Sequence, residues 1–446
     1  MTDFLLKIIL TLLKRKPKPI CHHLKWHFGI VPQKYPVIQA VFPSYRQGCV
    51  SLALQQYLSS KTRRFSILGI NATDTNMSLS DFIHPDSFSQ QTEGPVQYND
   101  VETSDKNNIS CPELALYLVR EQGRNLAIFV KHNRGEEEFV VEVMAKQREF
   151  SEQFLADLRR LTDAHSIYKG KVITMQRSHN YNGDITVSFQ NLPRIERKQL
   201  ILPNEVMDGL EHHTVRFSHH SKHLLARGRH LKRGLLLYGP PGTGKSYSIM
   251  YLLGIMKERT AILLNGSACS ALLEDACELA RTLAPSTVVI DDADLIAEER
   301  TRRQGNQVLF ELLNQMDGIA DDADVLFLLT TNRPEALEPA LASRPGRIDQ
   351  ALLIPLPDRA CRTRLFELYS QGLPVAVKDM QKFVDQTADM SAAFIRELLR
   401  KATLLALEEG VQVKIQDRHL ERAVRLMLAG NGLSGKLLGN QTLPLA

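Results

Sequence analysis

The hydrophobic rhythm of the chain changes near residue 196. From there, short apolar runs (GLLLYG, AILLNG, STVVIDD, DVLFLLTTN and QALLIPLP) alternate with stretches of helical period. Strands separated by helices predict a parallel sheet covered on both faces. After Pro357 the pattern is all-helical. Ile395, Leu398, Leu399, Ala402 and Leu405 form one apolar stripe, and Leu420, Ala423, Val424, Met427 and Leu428 form another. Residues 35–195 read differently, as an α+β domain. NLAIFVKHNRGEEEFVVEVMA predicts a hairpin turning at Asn133–Gly135, and EFSEQFLADLRRLTDAHS predicts a helix. KVITMQRSHNYNGDITVSF predicts a second hairpin, turning at Asn182–Gly183. Residues 84–110, rich in Ser, Gln, Asp and Asn, read as a mobile loop.

The first twenty residues, MTDFLLKIILTLLKRKPKPI, put Phe4, Leu5, Ile8, Ile9, Leu12 and Leu13 on one helical face. Pro17 and Pro19 end that helix, and residues 1–34 carry seven Lys or Arg against one acid. Two readings stay open. The apolar face packs on the N-terminal domain or a neighbouring subunit, or it lies in a membrane surface through residues 1–20. The predicted organisation is therefore a basic amphipathic segment (1–34), an α+β N-terminal domain (35–195), a large α/β domain (196–357), a helical lid (358–430) and a tail (431–446).

Composition narrows the setting. A chain of 446 residues, 43% hydrophobic and 24% charged, suits a globular protein of two or three domains. Net charge is only +5, which argues against a nucleic-acid motor. The six cysteines show no CxxC pair and read as reduced thiols in a cytoplasmic-type compartment. There is no apolar run of the ~20 residues needed to span a bilayer, and no secretory signal.

The chemistry lies in the second half. GPPGTGKS is a complete P-loop, comprising Gly239, Pro240, Pro241, Gly242, Thr243, Gly244, Lys245 and Ser246, with Tyr247 next. It follows an apolar run and opens a helical stretch, which is the context the motif needs. Its glycines let backbone N–H groups wrap phosphates at a helix N-terminus. Lys245 is suited to the β- and γ-phosphates of ATP, and the Ser246 hydroxyl to Mg²⁺. In STVVIDDADLI an apolar strand delivers Asp291 beside the metal, and Asp292 follows as the candidate to orient or deprotonate the attacking water. LFLLTTN ends at Asn332, a polar tip on a buried strand. ASRPGRID sets Arg344 and Arg347 at a rigid turn, where guanidiniums suit transition-state phosphate charge.

Taken in order and at these intervals, the P-loop, the acid pair, NQMDGI, TTNRP and RPGR resemble the AAA ATPase family over roughly residues 200–430. The resemblance implies a five-stranded sheet domain with a helical lid, Mg²⁺-ATP as cofactor, and a homo-oligomeric ring, usually hexameric, acting on a protein client. It implies Asn332 as sensor 1, Arg344 and Arg347 as arginine fingers reaching a neighbour's ATP, and Asn265 as a polar switch. It is nearest to the type of the mitochondrial Rieske-protein translocase and its bacterial relatives, which also place Asp second in the acid pair.

Three departures qualify that picture. Asp292 stands where Glu is usual, retracting the carboxylate by about 1.5 Å. SACSALLEDACELAR carries no aromatic where many threading enzymes grip polypeptide, which favours remodelling of a folded partner. The lid's usual Gly-Ala-Asp turn reads Ala392–Phe394, and Arg396 lies either at a phosphate-sensing position or on an exposed helix face. His219 and His223, spaced i,i+4, suggest a metal pair less readily than a solvated linker helix. The basic run Arg227–Gly234 reads as a solvated face. No HExxH is present, which removes a zinc-protease reading. The expected function is ATP hydrolysis coupled to remodelling a protein partner. The alternative is a nucleotide-gated scaffold with negligible turnover.

Overall fold

The computed structural model describes residues 17–71, 77–83, 91–104, 107–133, 137–177, 185–294, 314–316, 318, 323–335, 337, 348–410, 412 and 414–429. The expected amphipathic helix before Pro17, Arg344, Arg347 and the tail lie outside the described residues. The chain divides into two compact units, Met1–Lys169 with Gln176–Phe189, and Gly170–Met175 with Gln190–Ala446.

In the first unit an antiparallel sheet is built from β1 (Val37–Pro43), β2 (Arg63–Asn71), β3 (Thr92–Gly94), β4 (Gln97–Ser104), β5 (Asn107–Glu121), β6 (Arg124–Asn133) and β7 (Glu138–Ala145). The order is β1-β7-β6-β5-β2-β3, with β4 pairing β5. Helices α1 (Ile20–Phe28), α2 (Gln47–Leu58) and α3 (Arg148–Ala164) cover it. The period-2 alternation of strands explains the two cores. Leu126, Ile128 and Val130 of β6 pack with Val50, Leu54, Phe154 and Leu158 of α2 and α3. Ala127 and Phe129 pack on the other face with Ile20 and Leu24 of α1 and with the segment Met77–Ile83.

That segment is pinned by a buried ion pair. Glu142 lies 3.1 Å from Lys131 and accepts from the Leu79 N–H at 2.6 Å, while Lys131 donates to the Met77 carbonyl at 2.7 Å. The expected first hairpin is β6–β7, paired from Leu126↔Ala145 to Asn133↔Glu138, and the expected helix is α3.

The loop reading of residues 84–110 is corrected for 91–104 and 107–110, while 84–90 and 105–106 lie outside the described residues. Within it the structure has β3, β4 and the start of β5, with β4 paired to β5 from Gln97↔Leu114 to Ser104↔Asn107. The residues of β4 are all partly or fully exposed, so no apolar face marks the strand. Its backbone is held by the ladder of a neighbour distant from the local pattern.

In the second unit the strands β8 (Val172–Arg177, through Met175), β10 (Arg233–Tyr238), β11 (Thr260–Asn265), β12 (Ser286–Asp291), β13 (Val325–Thr331) and β14 (Gln350–Leu353) run in the order β14-β10-β13-β12-β11-β8. All of these pairings are parallel. Strand β9 (Ile185–Phe189) belongs to the first unit. The five strands the resemblance implies are therefore joined by a sixth. Val172–Thr174 pair with Ala261–Leu263, which draws Gly170–Met175 out of the 35–195 segment and into this unit.

Helix α4 (Asn204–Glu211), a π-helical turn (His212–Arg216) and α5 (Phe217–Leu225) precede β10. Helices α6 (Lys245–Ile255) and α7 (Gly266–Thr282) follow β10 and β11. The lid comprises α8 (Arg359–Ser370), α9 (Met380–Gln386), α10 (Ala392–Glu409) and α11 (Asp417–Ala429). Both predicted stripes face its core: Ile395, Leu398, Leu399 and Ala402 of α10 pack with Leu420, Ala423 and Met427 of α11. Side-chain caps start three of the four helices, with Asp358, Asp379 and Ser391 accepting from Cys361, Lys382 and Phe394 N–H groups.

Candidate active site

Strand β10 is buried along nearly its whole length and ejects the chain at Gly239. A Cβ on Gly239 (φ +144°) would sit 2.3 Å from the Ile354 carbonyl oxygen, so only glycine lets the loop pass the end of β14. Gly242 (φ +74°) faces the lid: a Cβ there would meet Ala393 and Ser391 at 2.8 Å. The Ala393 N–H donates to the Gly242 carbonyl at 3.1 Å. The loop then turns into α6 after Gly244, and the free first-turn amides and dipole of a helix N-terminus favour an anion there.

Lys245 is buried, and its ammonium donates to the Gly239 carbonyl at 2.8 Å, the Pro240 carbonyl at 2.9 Å and Asn332 Oδ1 at 2.6 Å. Burial pulls its pKa down, and the charges of Asp292, Asp294 and Asp291 oppose that. Ser246 Oγ lies 3.0 Å from both carboxylate oxygens of Asp291. A hydroxyl and a carboxylate side by side at a helix N-terminus form a hard oxygen donor set that fits Mg²⁺.

Asp292 departs from strand geometry at φ +51°. Its N–H donates to Thr330 Oγ1 at 2.9 Å, and Thr330 in turn hydrogen-bonds Asp291. Burial pushes the Asp292 carboxyl up from the usual range, helped by Asp291 and Asp294 and opposed by Lys245 and Asn332. Asn332 donates from Nδ2 to Asp292 Oδ1 at 3.1 Å while its own Oδ1 accepts a hydrogen bond from the Lys245 ammonium. One amide therefore ties the cation of the P-loop to the second acid.

Lys245, Ser246, Asp291, Asp292 and Asn332 thus converge. Asn265 pairs in register with Asp291, and its side chain lies outside the described residues. Asp294, to which the sequence reading assigns no role, accepts from Thr331 Oγ1 at 2.9 Å and the Asn332 N–H at 3.3 Å and so holds the tip of β13. Its signal was visible as a third acid two positions after Asp292. The apolar end of the cavity was also missed. A cleft of about 800 Å³ runs from the P-loop and Tyr247 to Leu200, Ile201, Leu365, Leu368 and Tyr369, side chains far apart in sequence. Arg396 is exposed and lines this cleft.

The sequence profile of the ATPase family associated with various cellular activities (AAA) matches residues 235–356. The chain carries an AAA ATPase domain. Over 220 residues this chain is 37% identical to the ATPase family gene 2 protein homolog A of Homo sapiens, covering 46% of this chain and 24% of that protein. It is 34% identical over 215 residues to the 26S proteasome regulatory subunit 6B homolog of Encephalitozoon cuniculi, covering 45% and 55%. It is 30% identical over 253 residues to the ATP-dependent zinc metalloprotease FtsH 1 of Conexibacter woesei, covering 53% and 38%. The chain spans a quarter to just over half of the length of these relatives, so the shared part is the AAA domain. No helix among the described residues is long and apolar enough to cross a membrane.

Proposed function

We propose that the chain binds Mg²⁺-ATP in this cleft and hydrolyses it as one subunit of a homo-oligomeric, six-membered ring that remodels a protein partner. The observation that carries the reading is the Lys245–Asn332–Asp292 chain of hydrogen bonds beside the Ser246–Asp291 pair. Phosphate oxygens would replace the loop carbonyls as acceptors for Lys245, which needs only a small movement of a side chain already aimed along the loop. Ser246 and Asp291 would hold Mg²⁺, which supplies positive charge that neutralises and orients the β- and γ-phosphates. Asp292 would take a proton from water as its oxygen attacks the γ-phosphorus and the bond to the β-phosphate oxygen breaks, giving ADP and phosphate. Its raised pKa makes it a stronger base than an exposed aspartate. Asn332 would keep that carboxylate aimed and sense the γ-phosphate through Lys245. The apolar end, Leu200, Ile201 and Tyr369, suits an adenine ring.

Arg344 and Arg347 are assigned to the neighbouring subunit's nucleotide, because a heterologous ring contact brings one subunit's turn to the next subunit's site. A protein client is supported by the relatives, one named as a proteasome regulatory subunit and another as an ATP-dependent protease. With no HExxH in this sequence and no aromatic in the stretch Ser267–Arg281, remodelling of a folded partner fits better than threading and cleavage. Asp as the second acid of the pair is what supports the Rieske-translocase type. The N-terminal unit would carry the client contact, and the apolar face expected before Pro17 would pack on protein or lie at a membrane surface. A nucleotide-gated scaffold is the second reading, favoured by the short Asp292 side chain on left-handed backbone.

Phosphate release by the assembled ring, measured beside Lys245→Ala, tests the reading. Lys245→Ala removes the main side-chain counter-charge and is expected to abolish tight Mg²⁺-ATP binding in calorimetry. Unchanged affinity would refute the P-loop assignment. Wild-type rings that load ATP yet release no phosphate above the Lys245→Ala background would leave the scaffold reading.

A further inference from the structure

Between His212 and Arg233 the chain has six Lys or Arg, six His and no Asp or Glu. These residues lie just before the P-loop strand, and nothing in the proposed ATP chemistry uses them. The π-helical turn at His212–Arg216 joins α4 to α5. Wide turns of this kind shift the phase of the side chains that follow and recur at functional positions. Here the turn helps line up His213, Arg216, His220, His223 and Arg227 along one concavity of about 560 Å³. Phe217 and Leu224 supply its apolar lining.

The guanidinium of buried Arg233 stacks 3.6 Å from the centre of the Phe217 ring and donates to Ser218 Oγ at 2.8 Å. Its Nε and Nη1 have no hydrogen-bond partner among the described residues. Burial and Arg259 pull its pKa down to about 9, so it is charged at neutral pH.

The nearby acids leave this positive face largely uncompensated. Asp208 is 3.9 Å from Arg216, a loose exposed contact. Glu211 is engaged by Arg197 at 3.2 Å and Tyr251 at 2.8 Å. Asp324 is held by Arg259. Asp349 accepts from the Gly234 N–H at 3.0 Å and raises the pKa of His213. Against it, burial, His212 and Arg233 lower that pKa, so His213 gains its proton at lower pH than an ordinary histidine.

We propose that this face is a docking groove for an acidic helical segment of a partner protein, with a grip that strengthens as pH falls through the histidine range. The proposal does not rest on the ATPase reading. The cations recur about once per helical turn, roughly every 5.4 Å, which matches carboxylates repeated every three or four residues on a second helix. Phe217 and Leu224 would cover the aliphatic stems of those acids. Single-stranded nucleic acid calls for a series of aromatic platforms, and Phe217 is the one non-histidine aromatic here, stacked by Arg233. A bound carboxylate favours the charged form of an imidazole, so each histidine of the groove that gains a proton as pH falls adds attraction.

The test uses the full chain and a fluorescein-labelled, alanine-based helical peptide of about 20 residues with Glu at i, i+4 spacing. Its anisotropy is followed at about pH 6 and about pH 7.5. Affinity is expected to be at least about tenfold tighter at the lower pH, to fall with added salt, and to vanish for the matching Gln peptide. Combining His213→Gln, His220→Gln and His223→Gln should remove the pH response, and Arg216→Ala with Arg227→Ala should weaken binding at both pH values. Thermal melts of the variants should match the parent, since these side chains are partly or fully exposed. Equal binding of the Gln peptide overturns the proposal, as does a pH response that survives the histidine changes. A DNA duplex that outcompetes the peptide through the same arginines would make the face a nucleic-acid site instead.

Discussion

Asn332 is the residue on which the proposed chemistry turns, because one amide serves two charged partners. Asn332→Ala should lower turnover while leaving ATP affinity nearly unchanged, since Lys245 keeps its loop carbonyls and Ser246 keeps Asp291. A parallel loss of affinity in calorimetry would mean that Asn332 holds the loop and not the reaction. Asp292→Asn should retain binding and reduce turnover by about 10²–10⁴, the range for losing a positioned base. Asp292→Glu is the sharper variant. The left-handed backbone at Asp292 places its carboxylate against Asn332 at 3.1 Å, so a longer side chain overshoots that amide and the rate should fall. An increase would show that the pocket accepts the usual length. The pH profile carries its own sign: Asp292 acts as a carboxylate, its pKa lies above the ordinary value, and turnover should fall as pH drops through that raised pKa.

At the scale of elements, packing decides what local pattern leaves open. Glu142 sits on β7 amid apolar neighbours, and the sequence FVVEVMA gives no hint that it is buried at 2% exposure. Its partners Lys131, Leu79 and Ser78 lie on β6 and in the Met77–Ile83 segment. Glu142→Ala should leave Lys131 as an uncompensated buried charge and destabilise the first unit by about 3–5 kcal/mol, read as a shift in its urea midpoint. A loss below about 1 kcal/mol would indicate that the pair behaves as an exposed one. The hairpin β6–β7, helix α3 and the strands around the P-loop were legible because their apolar residues repeat at periods of two or 3.6. Strand β4 was not, because a polar strand has no such signature and exists through the backbone ladder of β5.

At the scale of the whole molecule, the proposal of a ring has a direct consequence. Arg344→Ala subunits mixed with wild type should depress activity more steeply than their fraction, because each one disables a neighbour's site. Strict proportionality at every mixing ratio would remove the cross-subunit role. The division into units also departs from a simple chain order. Gly170–Met175 joins the parallel sheet while Gln176–Phe189 belongs to the first unit. A boundary read from composition cannot anticipate this, because it depends on which strand offers an open edge to Val172–Thr174, and that edge is β11.

The phosphate-binding half of the proposed site is legible in the sequence. A P-loop is one contiguous segment whose glycines, lysine and serine act through local backbone geometry, and the acids and the amide that face it stand at the ends of strongly apolar strands. The rest of the cleft depends on long-range packing. The apolar end of the cleft is assembled from Leu200, Ile201, Leu365, Leu368 and Tyr369, which only the docking of the lid brings together. The bridge from Lys245 through Asn332 to Asp292 exists because β13 lies between β10 and β12, a strand order that no local pattern encodes.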